Sequence, residues 1–345
     1  MEGTVRPCGL PATQSDGSDL SDLSDLSGVP GARVLPAGRI CYSVRGGHAP
    51  PMKQVAIPPL SETPLVSVIL SSYNYGRYLP AALDSVFAQT WPRLELIAVD
   101  DGSSDNSRAL LERARQTAPV PMRVILQEHK GQGAAWNAGF SQAEGEVVCF
   151  LDSDDEWRAE KVAEMVAFMR AVPGGGVYQH QLDDGRGHAC LGILRSGDLL
   201  AQWRACGRVN TALRHDLTVF HVPSSGLAFA RAVLEEIFPV PEAVAASPDS
   251  YVAWLGAALG PVCSWPKTLG TWRSHAENAG KSSCFSYRDY WVPVVLPEIN
   301  RRLGEWGVPV TFAHHPAAVL LEPLRQLRDA RTRRGRKAEG LPPFG

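Results

Sequence analysis

Apolar and polar residues fall into blocks along the middle of the chain. VSVILSS (66–72) is an apolar run of strand length. RYLPAALDSVFAQ (77–89) spaces its apolar residues three and four apart, as one face of a helix does. LELIAVDD (94–101) reads as a second strand, DNSRALLERARQ (105–116) as a helix, and RVILQ (123–127) as a strand. AAWNAGFSQA (134–143) is helix-like, EVVCFL (146–151) strand-like, and RAEKVAEMVAFMR (158–170) helical. Strands alternating with helices at this spacing predict a mostly parallel sheet flanked by helices. The strand runs are continuous rather than alternating, which fits burial on both faces. Ligands of such sheets bind beyond the carboxyl ends of the strands. Three polar segments occupy those ends: SYN after the first strand, DDGSSD after the second and DSDD after the fourth.

The flanks differ from this block. Residues 1–62 contain the repeat SDLSDLSDLS (18–27) and then glycines and prolines, including APPM and IPPL. So little apolar material predicts a disordered or loosely docked arm, with the repeat a solvated tail or a short recognition peptide. The regular half is expected to run over 63–172 and a less regular half over 173–300. The stretch 301–345 is a helix-compatible tail, basic from Arg325 to Lys337. That tail suits a solvated end, a partner or an acidic lipid surface.

Composition narrows the classes without choosing one. A chain of 345 residues with 44% hydrophobic content can bury a sizeable core. A formal net charge of -2 gives no global attraction to nucleic acid or to an anionic membrane. No apolar run approaches the roughly 20 residues of a membrane span. MEGTVRPCGL lacks a basic flank followed by an apolar stretch, so no signal peptide is expected. Cys8, Cys41, Cys149, Cys190, Cys206, Cys263 and Cys284 are scattered, with no CxxC pair. That pattern argues against a disulfide framework or structural zinc and for a cytoplasmic setting, with peripheral membrane attachment left open.

The densest chemistry is FLDSDDEW (150–157), in which Asp152, Asp154 and Asp155 close an apolar strand. Alternation along a strand sends the Asp152 and Asp154 side chains to one side. A hard divalent cation with oxygen ligands would offset their repulsion, and Mg²⁺ or Mn²⁺ commonly takes one or two carboxylates and completes its shell with water and substrate phosphates. The plainer alternative is that Asp154 or Asp155 caps a helix starting near Arg158. An EF-hand loop counted from Asp152 would need Gly and Glu where Trp157 and Ala163 stand, so it fails. An aspartyl phosphatase nucleophile also uses D-x-D at a strand end, but here Glu156 stands where that class has Thr, and the strand is the fourth.

Taken together, VSVILSSYNYGRYLPAALDSVFAQTWPRLELIAVDDGSSDNS and GQGAAWNAGFSQAEGEVVCFLDSDDEW resemble the family-2 glycosyltransferases of GT-A fold, over about 64–170. The specificity lies in several motifs in the right order. The resemblance implies an α/β fold with a Rossmann-like, mostly parallel sheet and a smaller irregular acceptor-binding half. It implies a nucleotide-sugar donor, UDP-linked, and Mn²⁺ or Mg²⁺. Ser71, Tyr73 and Asn74 would lie beside the base, Asp101 would accept a hydrogen bond from it, and Asp100 would support that turn. Asp152 would meet ribose, with Asp154 and Asp155 the candidate metal ligands; the division among the three stays open. Outside the resemblance, Tyr73 could be core, Asn74 a turn residue and Asp105 a helix cap. Lys130 and Gln132 fall in the loop before the third helix, where a basic group could meet phosphate. Trp136 stands where many relatives have arginine.

Matches in the second half are shorter. VPSSGLAFARAVLEEIFPVPE (222–242) resembles the strand-helix segment beneath the acceptor site. SPDSYVAWLGAALGPV (247–262) resembles the segment that carries the general base, with Pro248 replacing a glutamate and Asp249 retained. Asp249 also suits a helix N-terminus. TWRSHAEN (271–278) resembles a Tyr-Arg-x-His-x-x-Asn segment with Trp272 in place of Tyr, and offers Arg273 and His275 to the diphosphate or the metal. Trp254, Trp265 and Trp272 suit sugar stacking or core packing. The resemblance implies an inverting, metal-dependent transfer to an acceptor hydroxyl on a saccharide, a lipid-linked glycan, a natural product or a protein. The alternatives are a nucleotide- or glycan-binding protein without turnover, and a nucleotidyl- or phosphotransferase using the same carboxylates.

Overall fold

The computed structural model describes residues 32–35, 39–42, 55–185, 187, 223–260, 262–273, 275 and 287–307. The SDL repeat and the basic 325–337 stretch lie outside them. Two short strands, β1 (Ala32–Leu35) and β2 (Arg39–Tyr42), pair antiparallel as a unit of their own.

The second unit is built on an eight-stranded sheet. Its first half follows the hydrophobic blocks: β3 (Val66–Ser72), α1 (Leu79–Phe87), β4 (Leu94–Asp101), α2 (Ser107–Thr117), β5 (Met122–Gln127), α3 (Gln132–Gln142) and β6 (Val147–Asp152). β7 (Glu156–Trp157), α4 (Lys161–Ala171) and β8 (Val177–Asp183) come next, followed by β9 (Leu227–Ala230), α5 (Arg231–Ile237), α6 (Pro248–Leu259) and β10 (Val262–Thr271). A π-helical stretch, Tyr287–Val295, leads into α7 (Leu296–Glu305).

The sheet order is β5-β4-β3-β6-β9-β8-β10-β7. β5, β4, β3 and β6 run parallel, as the helix-strand alternation predicts. β3 and β4 are buried along their whole length, because helices cover both faces. β5 is an edge strand and only half-buried, so a continuous apolar run did not mean two covered faces there. In α1, Leu79, Ala82, Leu83 and Val86 are buried at helical spacing, with Pro80 in the first turn, where a missing N–H costs nothing.

Two topological features set up the site. The chain steps from β3 to β4 on one side and comes back to β6 on the other, so the carboxyl ends of β3 and β6 flank a switch point, where ligands of such sheets bind. β9 is inserted antiparallel between β6 and β8. Its starting end therefore lies at the finishing end of β6.

Trp136, the position where an arginine was expected, is fully buried and stacks flat on Phe150 of β6, with centroids 3.7 Å apart and 13° between planes. It belongs to the core between α3 and the sheet. Trp136→Ala is expected to cost about 3–5 kcal/mol, read as a fall in the urea midpoint at unchanged slope. An unchanged midpoint would contradict this packing.

Candidate active site

Asp152 ends β6, and the chain turns at once: the Asp155 N–H donates to the Asp152 carbonyl at 3.0 Å. The turn folds the three carboxylates together, so that one oxygen from each of Asp152, Asp154 and Asp155 lies within 4.8 Å of the others. Asp154 and Asp155 are buried and Asp152 is half-buried. The capping alternative does not hold. β7 follows Asp155 directly, and α4 begins only at Lys161, with Glu160 as its N-cap.

Each carboxylate has protein partners drawn from distant parts of the chain. Asp152 Oδ1 accepts from Gln132 Nε2 at 2.7 Å, and its Oδ2 accepts from Ser224 Oγ. Asp155 accepts from Ser225 Oγ at 2.6 Å and from the Arg273 backbone N–H at 3.0 Å. His275 Nε2 lies 2.9 Å from Asp154 Oδ2. Burial, then the charges of Asp154 and Asp249, push Asp152 up to about 7, against the hydrogen bonds from Ser224 and Gln132. Burial and the charges of Asp154 and Asp152 push Asp155 well above the carboxylate range. Such a cluster is short of positive charge. Three hard oxygen donors converging in that state suit a small divalent cation.

Arg273 and His275 reach the cluster because β10 pairs in parallel with β8 and then antiparallel with β7, carrying the chain back past Asp155. The Arg273 guanidinium pairs with Glu156 and lies 5.7 Å from the Tyr78 ring centre. His275 stacks on Tyr78 at 4.5 Å and meets Tyr75 edge-on at 5.3 Å. Neither tyrosine was singled out from the sequence.

The residues around β3 and β4 form a second group. Ser71 lies 3.5 Å from Gln132 Nε2, next to Asp152. Tyr73 is not core: it is 42% exposed and stacks on His129 at 3.9 Å and 17°. Asn74 holds a left-handed turn at φ 57, and its Oδ1 accepts the Ser104 N–H at 2.7 Å. Asp105 accepts from the Ser107 N–H and the Gly76 N–H, while Asn106 is the N-cap position of α2. Asp100 accepts from the Ser103 N–H at 3.0 Å and from Arg108 Nε at 2.8 Å. Asp101 is more committed still. Its carboxylate takes the Lys130 and Gly131 N–H groups at 2.9 and 2.8 Å, Gln127 Nε2 at 2.7 Å, and lies 2.9 Å from His129 Nδ1. In this structure Asp101 organises the loop that starts α3, which in turn aims Gln132 at Asp152.

Asp249 sits in the first turn of α6, half-buried, close enough for its charge to act on Asp152. The chain leading to it is pinned on two sides. The Tyr290 hydroxyl accepts the Ala246 N–H at 2.9 Å and lies 3.0 Å from the Ala246 carbonyl. On the other side the Gly133 N–H donates to the Ala245 carbonyl, and a Cβ at residue 133 would come within 2.2 Å of the Val244 carbonyl oxygen. Only glycine lets α3 approach this closely. Of the three tryptophans, Trp265 packs on Phe168 and Trp254 on Trp291.

A family model described as glycosyl transferase family 2 matches residues 67–238, the stretch that carries β3 to β6 and the aspartate cluster. The chain belongs to this family. An uncharacterised glycosyltransferase of Nostoc sp. is 37% identical over 215 residues, 62% of this chain and 66% of that protein. The UDP-Glc:alpha-D-GlcNAc-diphosphoundecaprenol beta-1,3-glucosyltransferase WfgD of Escherichia coli is 36% identical over 106 residues, 30% of this chain and 41% of that protein. The chain thus spans less than two thirds of either relative. Residues 1–349 of S. aureus TarS in complex with UDP-GlcNAc superpose with a TM-score of 0.54, covering 69% of this chain and 66% of that one at 22% identity. That likeness is one of fold, and the fold is GT-A. Among the described residues no helix is long and apolar enough to cross a membrane.

Proposed function

We propose that this family-2 glycosyltransferase moves a sugar from a UDP-linked donor to an acceptor hydroxyl, with inversion at the anomeric carbon. The observation that carries the reading is the convergence of Asp152, Asp154 and Asp155 at the switch point, with Asp249 near enough for its charge to act on Asp152. Asp154 and Asp155 would hold Mn²⁺ or Mg²⁺, and Asp152 the ribose. When bound, the cation would supply Lewis-acid neutralisation of charge on the departing diphosphate. Tyr73, Ser71 and Asn74 line the base side, while Arg273 and His275 stand on the diphosphate side. Asp249 takes the proton of the attacking hydroxyl, a role for a carboxylate within about 3 Å of that group. The name of the E. coli relative supports a UDP-linked donor and leaves a lipid-linked acceptor among the candidates.

The direct test is a screen of nucleotide sugars with Mn²⁺ or Mg²⁺, read as release of nucleoside diphosphate. Release is expected with a UDP-sugar and is expected to vanish in the D154A/D155A variant. Release of pyrophosphate instead would identify a nucleotidyltransferase. Binding of UDP without release for any acceptor would identify a binding protein.

A further inference from the structure

Two serines outside the aspartate motif set its shape. Ser224 and Ser225 open a single 3-10 turn, Ser224–Gly226, directly before β9. Because β9 runs antiparallel beside β6, this turn lies where β6 ends. Both serines are buried, with 3% and 0% exposure. The Asp152 N–H donates to Ser225 Oγ at 3.1 Å, and Ser225 Oγ donates to Asp155 Oδ2 at 2.6 Å. A serine hydroxyl has one proton. Since Ser225 Oγ accepts from Asp152, that proton is directed at Asp155, and the two bonds polarise each other. Ser224 gives its own proton to Asp152 Oδ2. The turn is itself anchored: the Ser225 carbonyl accepts Trp157 Nε1–H at 2.8 Å, and the Trp157 ring lies under the Lys161 ammonium at 3.6 Å.

The choice of donor matters. Arginine or lysine at these positions would hold the carboxylates and cancel their charge. A hydroxyl holds a carboxylate in place and leaves its charge intact. Each carboxylate oxygen also keeps a second lone pair for a ligand. Immobilised carboxylates whose charge no protein cation cancels are what a cation site requires, and the groups behind metal ligands set their orientation.

We propose that Ser224 and Ser225 are positioning residues, which orient Asp152 and Asp155 toward a divalent cation and its nucleotide. This rests on the metal-dependent reading above. The test uses the full chain and Mn²⁺, with free Mn²⁺ read by electron paramagnetic resonance in the presence of UDP or GDP. Ser225→Ala and Ser224→Ala are each expected to weaken Mn²⁺ binding by about 10–100-fold. Ser85→Ala, a buried serine whose hydroxyl bonds the Ala82 carbonyl rather than an aspartate of the cluster, is expected to bind as wild type does. Thermal melts run alongside. If Ser225→Ala melts lower but binds Mn²⁺ like wild type, the serines are merely structural and the proposal is overturned. Should Ser225→Ala fail to fold, Ser224→Ala decides by the same criterion. If wild type binds no Mn²⁺ with either nucleotide, the metal reading itself fails, and the proposal with it; the two failures are thereby told apart.

Discussion

Asp249→Asn is expected to lower the turnover of sugar transfer by about 10²–10⁴-fold, the range for losing a positioned general base. The amide keeps the shape of the side chain and its place in the first turn of α6, but cannot take a proton. Binding should move differently from turnover. The Asp249 charge raises the energy of an ionised Asp152. Neutralising it relieves that repulsion, so affinity for Mn²⁺ with UDP is expected to stay level or rise. Damage to the fold would weaken both together. The loop before Asp249 is held by Tyr290 and Gly133 through backbone atoms, neither of which the substitution touches. Single-turnover transfer and nucleotide titration on the same preparation separate the outcomes. Transfer at the wild-type rate would remove Asp249 from the mechanism and leave the cation site standing.

How much of this was legible in the sequence depends on the range of the interactions involved. Apart from the two-residue β7, the strands and helices from Val66 to Ala171 follow from local periodicity, with helix boundaries displaced by up to three residues. β9 was legible only through the resemblance, as the strand of a strand-helix segment over 222–242; its antiparallel place in the sheet was not, because those four residues, LAFA, pair with β6 and β8, both more than 40 residues earlier in the chain. The site divides the same way. Asp152, Asp154 and Asp155 are neighbours in sequence and announce themselves as a charge cluster. Their partners do not. Gln132 is a polar residue in a loop until α3 is docked, and Ser224 and Ser225 look like any serine pair before a strand. Asp101 adds a second case: the resemblance implies a contact with the base, and its carboxylate also takes the backbone N–H groups of Lys130 and Gly131, which no local pattern foretells.

Mn²⁺ is expected to raise the melting temperature, by an amount that grows steeply with pH between about 5 and 8 and then levels off. The sign follows from the cluster. Burial and neighbouring charge raise the Asp152 carboxyl from 3.8 to about 7 in the folded chain, and Asp155 is raised as well. Between those limits the metal-free folded state holds protons that the unfolded state has released, so these groups make stability fall as pH rises through the folded pKa. For Asp152 the shift corresponds to about 4 kcal/mol at full ionisation, at 1.36 kcal/mol per unit. A cation must displace the same protons, so it gains little below pH 5 and most of its affinity above 7. His180 acts in the opposite direction: burial, then the nearby Lys161 charge, lowers it to about 3, so its contribution to stability rises with pH up to about 6.5. That contribution is common to the metal-free and metal-loaded chain and cancels in the difference between their melts. The D154A/D155A variant should lose the Mn²⁺-induced shift at every pH. A shift that is independent of pH would mean that the cation is held elsewhere, and that the charge gathered at the end of β6 has some other partner.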